Sequence, residues 1–229
     1  MPPKINMAAF RHPKRTGAMV DPTPDQGRRL TGGVESKWAV KLKFKLKPNE
    51  GAKLGSGFYF NVPGANLDVI LTAAHNLVND NGQLVTDLEI HGQAIYENKT
   101  GNQLEKREQV RKFPAVQDGN HFLRLCADFD PTKQKKSAGA DWGAIFLPKT
   151  DVTGFGFDLK FAFQEHLQGN VYVSGYEAST AEVKLVNSDG PIIITLNDQL
   201  KYRAVTAQGI SGSVVWQVLD GQPIALGIQ

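Results

Sequence analysis

Short apolar runs punctuated by turn-forming dipeptides recur from Trp38 to the last residue of this 229-residue chain, and they restrict it to an all-β fold. The first run sets the pattern. Trp38, Val40, Leu42, Phe44 and Leu46 alternate with Ala39, Lys41, Lys43, Lys45 and Lys47, the period of two that buries one face of a strand and leaves the other in water. A lysine stripe on such a face reads as a solvated surface that discourages edge pairing, in preference to an anion site. Further strands are expected at 56–62, 68–72, 88–96, 121–125, 143–147, 170–175, 181–186, 191–195, 213–218 and 223–228. Pro63-Gly64, Asn81-Gly82, Asp189-Gly190 and Asp220-Gly221 supply turn signals between several of them. The polar stretch 98–112 reads as helix or loop, and no long amphipathic helix is evident.

Residues 1–34 differ from the rest. They carry Pro2, Pro3, Pro13, Pro22 and Pro24 among charged and small residues without any period, which describes a flexible arm. Over residues 1–35 the basic Lys4, Arg11, Lys14, Arg15, Arg28 and Arg29 outweigh Asp21, Asp25 and Glu35 by the whole formal charge of +3, so the remaining chain is neutral. A neutral body lacks the clustered Lys and Arg that phosphate backbones require, which argues against a nucleic-acid partner. No run approaches the length of a membrane span. Cys126 is the single cysteine, so packing without disulfides must hold the fold. With no apolar N-terminal stretch of signal-peptide type, the expected compartment is intracellular, secretion being left open. The five histidines are scattered, and no metal-ligand spacing occurs.

Three segments carry chemistry. Gly209-Ile210-Ser211-Gly212-Ser213 sets a serine in a glycine-rich turn, where unusual dihedrals expose the hydroxyl. On its own this fits an ordinary tight turn as well as a nucleophile. The elbow of α/β-hydrolases needs glycine two residues after the serine and a helix beyond it; here Ser213 occupies that position, and Val214, Val215 and Trp216 continue as a strand. A serine needs a neighbouring imidazole to take its proton. His75 ends the apolar run Val69-Ile70-Leu71-Thr72-Ala73-Ala74, where a lone core histidine is the plainer alternative. The imidazole in turn needs a carboxylate to fix its tautomer. Asp141 opens the apolar run Trp142-Gly143-Ala144-Ile145-Phe146-Leu147, whereas Asp128 and Asp130 precede non-strand sequence broken by Pro131 and read as solvated.

Thr72-Ala73-Ala74-His75, Gly55-Ser56-Gly57-Phe58 before it, and Asp141 followed by an apolar strand resemble signatures of the chymotrypsin-like serine proteases, and the order His75, Asp141, Ser211 is that of chymotrypsin. Val173-Ser174-Gly175-Tyr176 and the Gly-x-Ser-Gly-Ser form at Ser211 resemble the V8-type, glutamyl-endopeptidase-like branch. The likeness spans roughly Trp38 to Gln229. It implies a double barrel, two antiparallel β-barrels of the six-stranded type with the active site between them. The division expected is an arm at 1–34, an N-terminal barrel at 35–126 and a C-terminal barrel at 127–229.

By the same resemblance Ser211 is the nucleophile of an endopeptidase working through an acyl-enzyme, His75 the base and Asp141 its orienter. The amides of Gly209 and Ser211 then form the oxyanion hole, Thr206 and Gln229 line the S1 pocket, and neither metal nor organic cofactor is required. The branch has histidine where Gln229 stands, which leaves Glu, Gln or a small polar P1 residue open. Arg29-Leu30-Thr31-Gly32-Gly33 resembles a trypsin activation site, but Ile210 replaces the aspartate that receives the freed amine, so chance is the preferred reading. The family continues through another strand after the position of Gln229, so an unpaired sheet edge and further C-terminal domains are also expectations. The expected partner is a protein or peptide substrate. The competing function is a weak or inactive protease-like module used for protein–protein interaction.

Overall fold

The computed structural model describes residues 28–30, 38–85, 87–92, 95–99, 103–107, 110–113, 123–133, 138–149, 156–159, 167–178, 183–196 and 199–229. The alternating run forms β2 (Ala39–Lys45), with Val40, Leu42 and Phe44 buried as the period of two requires. β3 (Lys53–Phe60), β4 (Leu67–Thr72), β5 (Asp87–His91), β6 (Ile95–Lys99), β7 (Gln103–Arg107), β8 (Val110–Phe113), β9 (Leu123–Leu125) and β10 (Gly143–Pro148) follow. The second half holds β11 (Asp158–Leu159), β12 (Asn170–Ala178), β13 (Val183–Leu196), β14 (Gln199–Tyr202), β15 (Val214–Leu219) and β16 (Gln222–Ile228), and the short β1 (Arg28–Leu30) joins them. No α-helix occurs among the described residues.

Two seven-stranded sheets result. The first runs β8-β5-β2-β3-β4-β10-β9; the second runs β1-β13-β12-β15-β16-β11, with β14 also on β13. All strand pairs are antiparallel except the short β11–β16 contact. The lysine stripe is matched across the β2–β5 ladder, where Lys43 faces Glu89 at 3.6 Å and Lys45 faces Asp87 at 3.1 Å. Opposed charges of this kind stabilise a sheet face modestly.

Several expectations from the sequence need correction. The division at 126/127 is displaced, because β10 pairs with β4 along its whole length and β9 with β10, so 143–148 belongs to the first sheet. Of the arm expected at 1–34, Arg28–Leu30 pairs with Val186–Ser188 on the edge of β13, and residues 1–27 and 31–34 lie outside the described residues. The polar stretch 98–112 contributes strands, β7 pairing with β6 and β8 with β5; a backbone ladder needs no apolar side chain, so a polar run carries no signature of it. The strand expected at 88–96 is divided between β5 and β6, which lie in different sheets. Asp189-Gly190 is no turn but the middle of β13. Glycine is needed there because the Arg203 carbonyl oxygen would lie 1.3 Å from a Cβ. The sheet edge expected to be open beside β16 is covered in part by Asp158 and Leu159.

An aromatic cluster joins the two sheets. Phe157, fully buried, meets Phe58 of β3 and Trp216 of β15, and Trp38 packs edge-on to it at 5.0 Å. Its backbone also pairs with Tyr59 and Asn61 at 2.9 Å. Phe157→Ala removes the ring common to these contacts, and we expect a loss of about 3–5 kcal/mol in unfolding free energy, read from urea melts followed by tryptophan fluorescence.

Candidate active site

His75 owes its place to strand geometry. β4 ends at Thr72, the small residues Ala73 and Ala74 are buried, and a 3-10 turn, Ala74–Asn76, presents the imidazole with 31% of its side chain exposed. Asp141 lies just ahead of β10. Because β10 is antiparallel to β4 with Gly143 opposite Thr72, the residues preceding β10 and those following β4 emerge at one end of the ladder. The carboxylate takes both available protons of its neighbour: Oδ1 accepts the His75 backbone N–H at 3.0 Å, and Oδ2 lies 2.7 Å from Nδ1. This double contact fixes the ring plane and makes Nδ1 the protonated nitrogen, which leaves Nε2 as the basic one.

Ser211 comes from the turn before β15. Gly212 has φ +88°, a conformation that strains any residue with a Cβ, and a Cβ there would stand 2.1 Å from the Ser56 carbonyl oxygen. Gly209, on the other side of the serine, has φ +92°. The Ser211 carbonyl accepts from Ser56 N at 2.8 Å and from Asn76 Nδ2 at 2.9 Å, which ties this turn to β3 and to the residue beside His75. Ser56 Oγ reaches across to the Gly209 carbonyl at 2.9 Å and receives Tyr176 N at 2.8 Å. Among the described residues no hydrogen bond engages the Ser211 hydroxyl, including none to His75, and none engages the amides of Gly209 and Ser211. Gly212→Ala should therefore displace the turn, lowering kcat/KM by about 100-fold in a peptide-cleavage assay with the melting temperature recorded alongside.

The other sequence-derived candidates are less closely assembled. Thr206 is exposed in the segment before the serine turn. Gln229 is held by its backbone, its N–H donating to Ser213 O at 2.9 Å and its carbonyl accepting from Gly212 N at 2.6 Å. Its Oε1 accepts from the Tyr202 hydroxyl, a phenol that burial pushes above its ordinary pKa. Among the described residues no hydrogen bond joins Thr206 to Gln229. Ile210 is buried against Val171, Val173 and Val215, an apolar setting in which a freed N-terminal amine finds no counter-ion. Asp130 is committed to its own turn: bonds from Lys133 and Thr132 hold its carboxyl down to about 2. Among the described residues no cluster of His, Cys, Asp and Glu is placed to hold a metal.

Sequence reasoning passed over Asn76, and it read Ser56 only as part of a motif. Both are buried polar residues whose partners lie far along the chain. For Asn76, a polar side chain next to His75 is the local signal.

No protein-family profile matches the chain, and no curated protein does. Solved structures do. A Glu endopeptidase in complex with MPD superposes with a TM-score of 0.61 at 15% identity, covering 89% of this chain and 84% of that one. A thermostable serine protease, AL20, from an extremophilic microorganism gives 0.59 at 15% identity over 84% of each chain. The protease Anisep from Arthrobacter nicotinovorans gives 0.56 at 13% identity, covering 86% of this chain and 84% of that one. The fold is thus the double barrel of the chymotrypsin-like serine proteases, as the sequence motifs imply.

Proposed function

We propose that this chain is a serine endopeptidase in which Ser211 attacks the scissile carbonyl, His75 takes and returns the proton, and Asp141 orients His75. The observation that carries this reading is the two-point grip of Asp141 on His75, at 3.0 and 2.7 Å, at the same place where the Ser211 turn is tied to Asn76. With Nδ1–H held by the carboxylate, Nε2 is free to accept the serine proton, and the imidazolium that forms stays paired with Asp141. The tetrahedral oxyanion is received by the amides of Gly209 and Ser211; a donor of this kind supplies about 3–4 kcal/mol of transition-state stabilisation. Histidine then protonates the leaving amine, and water hydrolyses the acyl-enzyme by the same route in reverse.

Thr206 and Gln229 line the S1 pocket in this reading. A neutral amide at Gln229 can donate to a carboxylate or to an amide oxygen, so P1 residues with a side-chain carbonyl, Glu or Gln, are the substrate class. The resemblance of the fold to a Glu endopeptidase supports the same class. The test is digestion of a proteome-derived peptide library followed by mass spectrometry of new termini. Internal cuts after Glu or Gln that vanish with Ser211→Ala are expected; a folded chain that makes no cut supports the alternative of a protease-like interaction module.

A further inference from the structure

The base and the nucleophile come from different sheets, and catalysis demands that they stay within about 0.5 Å of the productive geometry. We propose that Asn76 is the positioning residue that holds this register, an inference resting on the reading of Ser211 as nucleophile and His75 as base. Asn76 shares the 3-10 turn of His75 and is almost wholly buried. Both protons of its Nδ2 are used, one on the Ser211 carbonyl at 2.9 Å and one on Thr72 Oγ1 at 3.0 Å. The orientation of the amide is dictated by chemistry. The Ser211 carbonyl only accepts, and Thr72 Oγ1 already donates its proton to Ser56 O at 2.7 Å, so both present acceptors to Asn76.

Ser56 completes a ring of contacts by donating its own N–H to the Ser211 carbonyl at 2.8 Å. The ring Ser56, Ser211, Asn76, Thr72 is buried or partly buried, and Asn76 is the member that links the His75 turn to the Ser211 carbonyl. Such a network resists displacement far more than an exposed bond does. One short turn thus fixes the imidazole through Asp141 and grips the nucleophile's carbonyl through the next side chain. The fit is close on the far side too: a Cβ on Gly55 would lie 2.7–2.8 Å from the amide atoms of Asn76. The atoms nearest a side chain added at residue 55 are thus those of the Asn76 amide, so lengthening residue 55 presses on Asn76 first.

The experiment measures saturation kinetics of a fluorophosphonate probe, kinact and KI separately, on Asn76→Ala, Asn76→Asp, Gly55→Ala and the Gly55→Ala/Asn76→Ala pair. All proteins are assayed below their melting transitions as seen by circular dichroism. Each single variant is expected to lose about 10- to 100-fold in kinact with KI changed less than about threefold. The pair should react no more slowly than Asn76→Ala alone, because the amide that the added methyl group displaces is gone. Asn76→Asp keeps the shape and sets oxygen against two acceptors; should it not fold, the two uncharged variants carry the test. A kinact within twofold of the parent in folded Asn76→Ala, or effects of the two sites that multiply, overturns the inference, as does a change confined to melting temperature. A parent that does not react at all overturns the nucleophile reading itself, and this inference with it.

Discussion

Ser211→Ala is expected to lower kcat/KM for a cleavable peptide by about 10⁶-fold, with the melting temperature unchanged. Both halves follow from the placement of the residue. The turn is held by the Ser211 carbonyl, by the buried Ile210 and by the glycine conformations at 209 and 212, none of which involves the hydroxyl. Removing that oxygen therefore leaves the turn, the Asn76 contact and the amides of 209 and 211 in place. What is lost, on the proposed mechanism, is the atom that forms the acyl bond, and the residual rate measures the amides and substrate binding alone. Steady-state assays with a fluorogenic peptide, paired with calorimetry, check the two together.

Asp141→Asn should cost about 10⁴-fold in kcat while KM stays close to that of the parent. The carboxylate makes two contacts of one sign, accepting from His75 N and facing Nδ1. An amide cannot do both. If its oxygen keeps the backbone N–H, its NH₂ is turned on Nδ1, which must then be the unprotonated nitrogen; the proton moves to Nε2, and the imidazole can no longer take one from Ser211. If the amide is reversed, its NH₂ opposes the His75 N–H and the turn itself is disturbed. The first arrangement predicts a well-folded enzyme with the wrong tautomer, which ¹⁵N-edited NMR of the histidine side chain reads directly as a protonated Nε2.

The strands that build the site were legible where burial imposes a period. Val40, Leu42 and Phe44 alternate with lysines and form β2 as expected, and the apolar runs ending at Thr72 and starting at Gly143 are β4 and β10. That these two runs pair was not legible, since registry between segments so far apart leaves no local mark. The same pairing carries 143–148 into the first sheet and brings Asp141 beside His75. Asp189-Gly190 misled for a related reason: the dipeptide has turn chemistry, but long-range pairing with Val171 and Tyr172 holds it extended, and its glycine answers a crowding that comes from Arg203. Asn76 escaped notice, and Ser56 and Thr72 stood only as members of motifs, because a buried polar side chain takes its meaning from its partners. Here one of those partners lies 135 residues away.

The most direct measurement of the central claim is intact mass and peptide mapping of the purified chain after exposure to a fluorophosphonate. A single adduct on the peptide carrying Ser211, formed by the folded chain, absent from Ser211→Ala and slowed in Asp141→Asn, is the predicted result. A folded chain that takes no adduct, or takes it on a different residue, contradicts the assignment.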